Sequence, residues 1–283
     1  MLVEAGGLPE QGNGRSGAKD PGARRRRRRQ QQRGRGRAEA PPAMSAPTAV
    51  QRLFEACSEV FSGPDSTSGA VPPPAGVERI KSVLDSITEA DVSLTSTMSY
   101  FRRATSRGIP KITYLHLYEC KDFSIGIFCL PPRGVIPLHN HPGMTVFSKL
   151  LFGALHVKSY DWAEASKDSA DVQSQGLCLA KVKADGILNA PCETSVLYPE
   201  DGGNLHCFTA QTACAVLDVL GPPYDDDSGR HCQHYNISSS APSAGDSKSL
   251  PGDDGYAWLE ECEPPRDFRL VGSTYMGPRI LDN

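Results

Sequence analysis

Pro131-Pro132-Arg133-Gly134-Val135-Ile136-Pro137-Leu138-His139-Asn140-His141-Pro142-Gly143-Met144 is the stretch on which the fold turns. A Gly-containing turn opens it, a Pro-Gly pair closes it, and between them two histidines stand two residues apart. Residues i and i+2 of a strand project to the same side, so a β reading lets His139 and His141 present both imidazoles to one point inside a barrel. A third ring is available in Tyr198-Pro199-Glu200-Asp201-Gly202-Gly203-Asn204-Leu205-His206, where a turn delivers His206 to the start of another strand. Neutral histidine is the commonest metal ligand, and no other part of the chain offers a comparable set. His139, His141 and His206 are therefore the candidate metal ligands. His116, His156, His231 and His234 are read as ordinary core or surface residues.

Outward from this stretch the apolar pattern has period two. Ile112 to Tyr118, Phe123 to Leu130, Thr145 to Phe152, Ala154 to Trp162, Leu177 to Lys183, Thr194 to Tyr198, Leu205 to Thr209 and Ala213 to Leu220 read as short strands separated by turn residues. About eight strands without intervening helices indicate an all-β sandwich or barrel, and a jelly roll suits the count. Ser238 to Gly255 reads as a Ser-, Pro- and Asp-rich surface loop, after which Tyr256 to Leu259 and Phe268 to Val271 return as edge elements.

Before residue 110 the period changes to that of a helix. Val50, Leu53, Phe54, Cys57, Val60 and Phe61 form one amphipathic stripe ended by Gly63-Pro64, and Val77, Ile80, Val83, Leu84 and Ile87 form a second. The organisation expected is a basic tail over 1–43, a helical extension over 44–109 packed outside the barrel, and a barrel domain over 110–283. The tail holds ten Arg and Lys19 against four acidic residues, a net +7, which leaves −10 for the rest of a chain whose total is −3. Its composition cannot build a core, so disorder is expected. No aromatic residue interleaves the basic ones, which argues against direct nucleic-acid binding and leaves a nuclear-localisation patch or a solvated tail. No stretch approaches eighteen apolar residues and no apolar segment follows the N-terminal charges, so neither a membrane span nor a secretory leader is expected. Nine irregularly spaced cysteines without a Cys-x-x-Cys pair point to reduced thiols rather than a disulfide framework or zinc ribbon.

The two histidine segments resemble the paired motifs of the cupin superfamily, a double-stranded β-helix fold. His139-Asn140-His141-Pro142-Gly143-Met144-Thr145-Val146 is more narrowly similar to plant cysteine oxidases, the plant relatives of cysteamine dioxygenase. The resemblance runs from about Val50 to Ile280 and includes Tyr275-Met276-Gly277-Pro278-Arg279-Ile280. Many metal cupins carry a Glu shortly after the His-x-His pair; Thr145 and Val146 stand there instead, leaving three histidines without a carboxylate. The resemblance implies Fe(II) at those histidines, O2 and a thiol as substrates, and a sulfinic acid as product. It further implies that the thiol is the N-terminal cysteine of target proteins, hypoxia-response transcription factors among them. Oxidation there would mark the target for degradation and make the enzyme an oxygen sensor in nucleus and cytoplasm.

Three further positions match the family. Asp218 interrupts the apolar run Ala215-Val216-Leu217-Asp218-Val219-Leu220, where a lone carboxylate is costly without a partner. It either holds the substrate amine, orients a ligand, or accepts backbone N–H groups as a structural element. Tyr224 and Cys232 are expected in a loop at the barrel mouth, with a role in substrate access, and Asp225-Asp226-Asp227 gives that rim negative charge that would attract a cationic N-terminus. Two other functions stay open: oxidation of a small free thiol, although no obvious arginine adjoins the site to clamp a free carboxylate and Arg133 is the nearest candidate in sequence, and a cupin that binds metal without turnover. A self-contained barrel makes a monomer the default.

Overall fold

The computed structural model describes residues 46–62, 71–102, 108–163, 177–238 and 255–282. The basic head over 1–43, the Gly63-Pro64 helix stop and residues 239–254 of the polar loop lie outside the described residues.

Helix α1 (Ala49–Phe61) starts at Thr48, whose hydroxyl accepts from the Gln51 N–H at 3.1 Å. Its stripe of Val50, Leu53, Phe54, Cys57 and Phe61 is buried. Helix α2 (Pro74–Asp85) has proline in its first turn, where a missing N–H costs nothing, and buries Val77, Ile80, Val83 and Leu84. Both stripes join Phe123, Ile125, Phe147, Leu217 and Val219 of the barrel in one apolar core, with the Phe61 and Phe123 rings stacked at 6.0 Å. A buried Lys149 ammonium reaches the Asp85 carboxylate at the end of α2 at 3.3 Å and the Cys192 carbonyl at 2.6 Å.

Twelve strands follow: β1 (Ile112–Glu119), β2 (Ser124–Leu130), β3 (Val135–His139), β4 (Thr145–Phe152), β5 (Ala154–Trp162), β6 (Leu177–Asn189), β7 (Ser195–Leu197), β8 (Leu205–Ala210), β9 (Cys214–Gly221), β10 (His234–Ser238), β11 (Tyr256–Cys262) and β12 (Leu270–Ser273). One sheet runs β12-β1-β2-β9-β4-β7; the other runs β10-β11-β6-β5-β8-β3 and closes on itself where His234 of β10 pairs with His139 of β3. All pairings are antiparallel except β1 with β12. Alternation along β9 sorts the two faces: Ala215, Leu217 and Val219 meet the helices, while Cys214 and Val216 meet Ile136, Leu155 and Phe208 between the sheets. The architecture is the expected double-stranded β-helix with helices outside.

The strand count and several strand assignments differ from the sequence reading. β3 is a short strand containing Pro137, which weakens its pattern. β6 continues to Asn189 although Ala184-Asp185-Gly186 looks like a turn, because it pairs with β5 throughout and sets Asp185 against Lys158 at 3.1 Å and His156 at 2.7 Å. β11 is not an edge, since it lies between β10 and β6; β12 does lie at an edge. All nine cysteines are free. Among the described residues no helix is long and apolar enough to cross a membrane.

Candidate metal centre

His139 is the last residue of β3 and His206 the second of β8, and antiparallel pairing sets them directly opposite one another. His141 completes a triangle of rings with centroids 4.7 to 4.9 Å apart, and one ligand atom from each lies within 4.8 Å of the others. All three residues are buried. Among the described residues they form the group able to hold a metal, and it contains no carboxylate.

His141 does not share a strand with His139 as its spacing suggests. β3 ends at His139, and His141 stands beyond it in a turn. Pro142 has no N–H to continue a ladder and Gly143 takes a φ of 65°, so the chain leaves the sheet here. His141 is placed instead by other residues. The Asn204 carboxamide accepts from its N–H at 3.1 Å and donates to its carbonyl at 2.8 Å, and the Tyr224 hydroxyl lies 2.8 Å from its Nδ1.

Those contacts also decide which ring nitrogen is free. Tyr224 donates its one hydroxyl proton to the Asn140 carbonyl at 2.7 Å, so toward His141 it accepts, and Nδ1 carries the proton. That leaves the lone pair on His141 Nε2, a buried atom without a hydrogen-bond partner. His139 Nδ1 lies 2.8 Å from the Pro137 carbonyl, which can only accept, so its Nε2 is likewise the free nitrogen. Burial holds His139 down at about 4 and holds His141 and His206 well below the usual histidine range, with mutual repulsion adding to it. Three neutral imidazoles, those of His139 and His141 with Nε2 left free by the hydrogen bond at Nδ1, are a donor set suited to a divalent metal.

Asp218 belongs to the inner face of β9, paired with Gly126 of β2 and Ser148 of β4. It is buried, and that burial outweighs the lowering influence of the neighbouring Ser148 side chain and raises its carboxyl to about 7. Its Oδ1 has no partner. The structural alternative required backbone N–H groups, and these are not what surrounds it. Gly126 matters here because a Cβ would meet the Tyr114 ring at 2.4 Å; the missing side chain lets that ring lie across β2 toward Asp218. A cavity of about 230 Å³ between the sheets is lined by Val146, Leu155 and Phe208 and reaches both Ser148 and His206.

Tyr224 is thus more than a mouth residue, for it contacts the ring of His141. Cys232 lies near the same hydroxyl, and burial pushes its thiol up, keeping it protonated. Asp225 is engaged by Ser228 and by Arg230 at 3.4 Å, while Asp226 and Asp227 are exposed. Arg133 sits in the exposed turn before β3, at the opposite end of that strand from His139. His234 lies beside the centre, its ring 6.2 Å from that of His139, but outside the ligand group. Asn204, Ser148 and Tyr114 escaped the sequence reading, because nothing in local patterning distinguishes them from turn or strand residues.

Two facing sheets carrying three convergent neutral histidines define the class: a cupin with a metal-competent centre. The PCO_ADO family model matches residues 83–280. Plant cysteine oxidase 2 of Arabidopsis thaliana is 52% identical over 237 residues, covering 82% of this chain and 83% of its own. The 2-aminoethanethiol dioxygenase of Mus musculus is 28% identical over 250 residues, covering 82% of this chain and 96% of its own. Among solved structures, an RmlC-like cupin from Desulfovibrio desulfuricans aligns with 46% of this chain and 97% of its own at 16% identity and a TM-score of 0.28. The chain belongs to the PCO_ADO family and is a thiol dioxygenase.

Proposed function

We propose that the chain oxidises the N-terminal cysteine of target proteins to cysteine sulfinic acid, R–SH + O2 giving R–SO2H, with Fe(II) held by His139, His141 and His206. The observation that carries the reading is the convergence of three buried neutral imidazoles with no carboxylate among them. When bound, Fe(II) would supply the site at which thiolate and O2 meet, the electrons that reduce O2 coming overall from the sulfur as it is oxidised. The chain's own residues do the rest. The ring N–H contacts of His139 and His141 fix the orientation of those two ligands, the apolar walls between the sheets exclude water, and Asp218, with one oxygen unpartnered, offers an acceptor to a substrate ammonium. An ammonium beside Asp218 would restore the carboxylate's ionised form, which burial alone disfavours.

A cysteine at a protein N-terminus supports that pairing better than a free amino acid, because Arg133 is too far along β3 to clamp a carboxylate. The names of the relatives, cysteine oxidase and 2-aminoethanethiol dioxygenase, agree in a substrate bearing both thiol and amine. The same proposal makes the enzyme an oxygen sensor that commits its targets to degradation. It places the enzyme in nucleus and cytoplasm on the strength of the Arg24–Arg29 run. The proposal takes the chain as a monomer, supported by a second sheet that closes on itself and leaves β12 and β7 of the first sheet as the edges.

The deciding experiment incubates the iron-loaded protein with a Cys-initiated peptide under isotopically labelled O2. Both product oxygens should carry label, without ascorbate or 2-oxoglutarate, and His139→Ala should abolish the product along with the bound iron. One labelled atom, a required co-substrate, or full iron occupancy in His139→Ala would reject the proposal.

A further inference from the structure

We propose that Asn204 is a positioning residue for His141, locking the two histidine-bearing turns into one unit. The inference rests on the three-histidine metal reading. His139 and His206 are held by strand pairing, but His141 lies past the end of β3 and lacks that support. Asn204 replaces it. Its carboxamide oxygen accepts from the His141 N–H at 3.1 Å, and its nitrogen donates to the His141 carbonyl at 2.8 Å. These are the two hydrogen bonds that a neighbouring strand would make to one residue, here supplied by a side chain. The second amide proton goes to the Tyr198 carbonyl at 2.9 Å, so one acceptor and two donors are all used.

The clamp is itself anchored. Asp161 on β5 accepts from the backbone N–H groups of Gly203 at 2.7 Å and Asn204 at 3.1 Å. Gly203 takes a φ of 88° and passes so close to Ser159 that a Cβ would lie 2.5 Å from its hydroxyl, which lets the turn sit against β5. The line of support therefore runs from β5 through Asp161 and Asn204 to His141, and His206 follows Asn204 by two residues on the same segment. Tyr224 holds the ring of His141 and Asn204 holds its peptide, so losing either frees a different degree of motion.

Only an amide meets this geometry. Aspartate lacks the two donors and would set a carboxylate oxygen against two carbonyls, and alanine removes all three bonds; either change leaves the Met144 N–H as the remaining donor to the His141 carbonyl and takes the side-chain donor from the Tyr198 carbonyl. A ligand whose supporting contacts are removed typically loses tenfold to a hundredfold in metal affinity.

Co(II)-loaded parent, Asn204→Ala, Asn204→Asp and Asp161→Asn proteins should be mixed with a chelator and metal release followed by the cobalt absorption bands. The melting temperature of each metal-free protein should be measured alongside. Release should be about ten to a hundred times faster in the Asn204 variants, with altered band positions, and faster by a smaller factor in Asp161→Asn. A purely structural asparagine would lower the metal-free melting temperature and leave release and spectrum at parent values, which would overturn the proposal. If Asn204→Ala does not fold, parental release from both Asn204→Asp and Asp161→Asn overturns it equally. A parent protein that takes up no cobalt or iron would bring down the three-histidine reading and the clamp with it, a result distinguishable from parental release by loaded variants.

Discussion

Replacing Asp218 with asparagine should make the protein more stable and less active, and the two effects have separate causes. The carboxyl sits at about 7 against an ordinary 3.8, and burial is the main reason. That difference is about 3 pH units, and at 1.36 kcal/mol per unit the ionised carboxylate costs the folded state about 4 kcal/mol above pH 7. The sign follows from proton counting. Between about pH 4 and 7 the folded state holds a proton that the unfolded state has lost, so this group's contribution falls as pH rises through the window and is flat above it. Asparagine has the same shape and no charge, but its amide protons need partners where Oδ1 had none, a cost of about 1–3 kcal/mol. The balance at pH 8 is a gain of about 1–3 kcal/mol, while at pH 4, where the parent carboxyl is already neutral, the variant should be no more stable than the parent. Urea unfolding of the metal-free proteins at both pH values reads the difference directly. Rate per iron should fall about tenfold to a thousandfold, the range for a lost positioning or binding group. An asparagine variant less stable than the parent at pH 8 would refute the buried-charge reasoning, and an unchanged rate per iron would remove Asp218 from the reaction.

Tyr224→Phe removes the acceptor that fixes the His141 tautomer, so metal affinity should fall about tenfold to a hundredfold; an unchanged dissociation constant in a competition titration would show that the tautomer is set elsewhere. Asp85→Ala leaves the buried Lys149 ammonium without its carboxylate and should cost about 3–5 kcal/mol in chemical denaturation, whereas a loss below about 1 kcal/mol would mean that the Cys192 carbonyl alone suffices. Removing residues 1–43 should leave turnover of a short Cys-initiated peptide nearly unchanged and alter localisation or solubility; a large loss of turnover would implicate the head in the site.

Much of this protein was legible along the chain because the physics that fixes it is local or periodic. Period-two patterning marks Thr145–Phe152 and Ala154–Trp162 with their observed bounds, and the helical stripes of α1 and α2 mark faces that do become buried. The three histidines stand out because neutral nitrogen donors in turn-flanked β segments have few other uses, and a single Asp inside an apolar strand is conspicuous whatever it does. Tertiary structure alone decided the contacts whose partners lie far apart in sequence. His141 owes its position to Asn204, 63 residues on, and its tautomer to Tyr224, 83 residues on, rather than to the strand its i, i+2 spacing suggested. Closure of the second sheet likewise depends on His234 meeting His139, a pairing that no local pattern encodes. A periodic signal reports which face of an element is apolar, but hydrogen bonds between turns depend on how the sheets bring those turns together, and that is set only when the whole chain has folded.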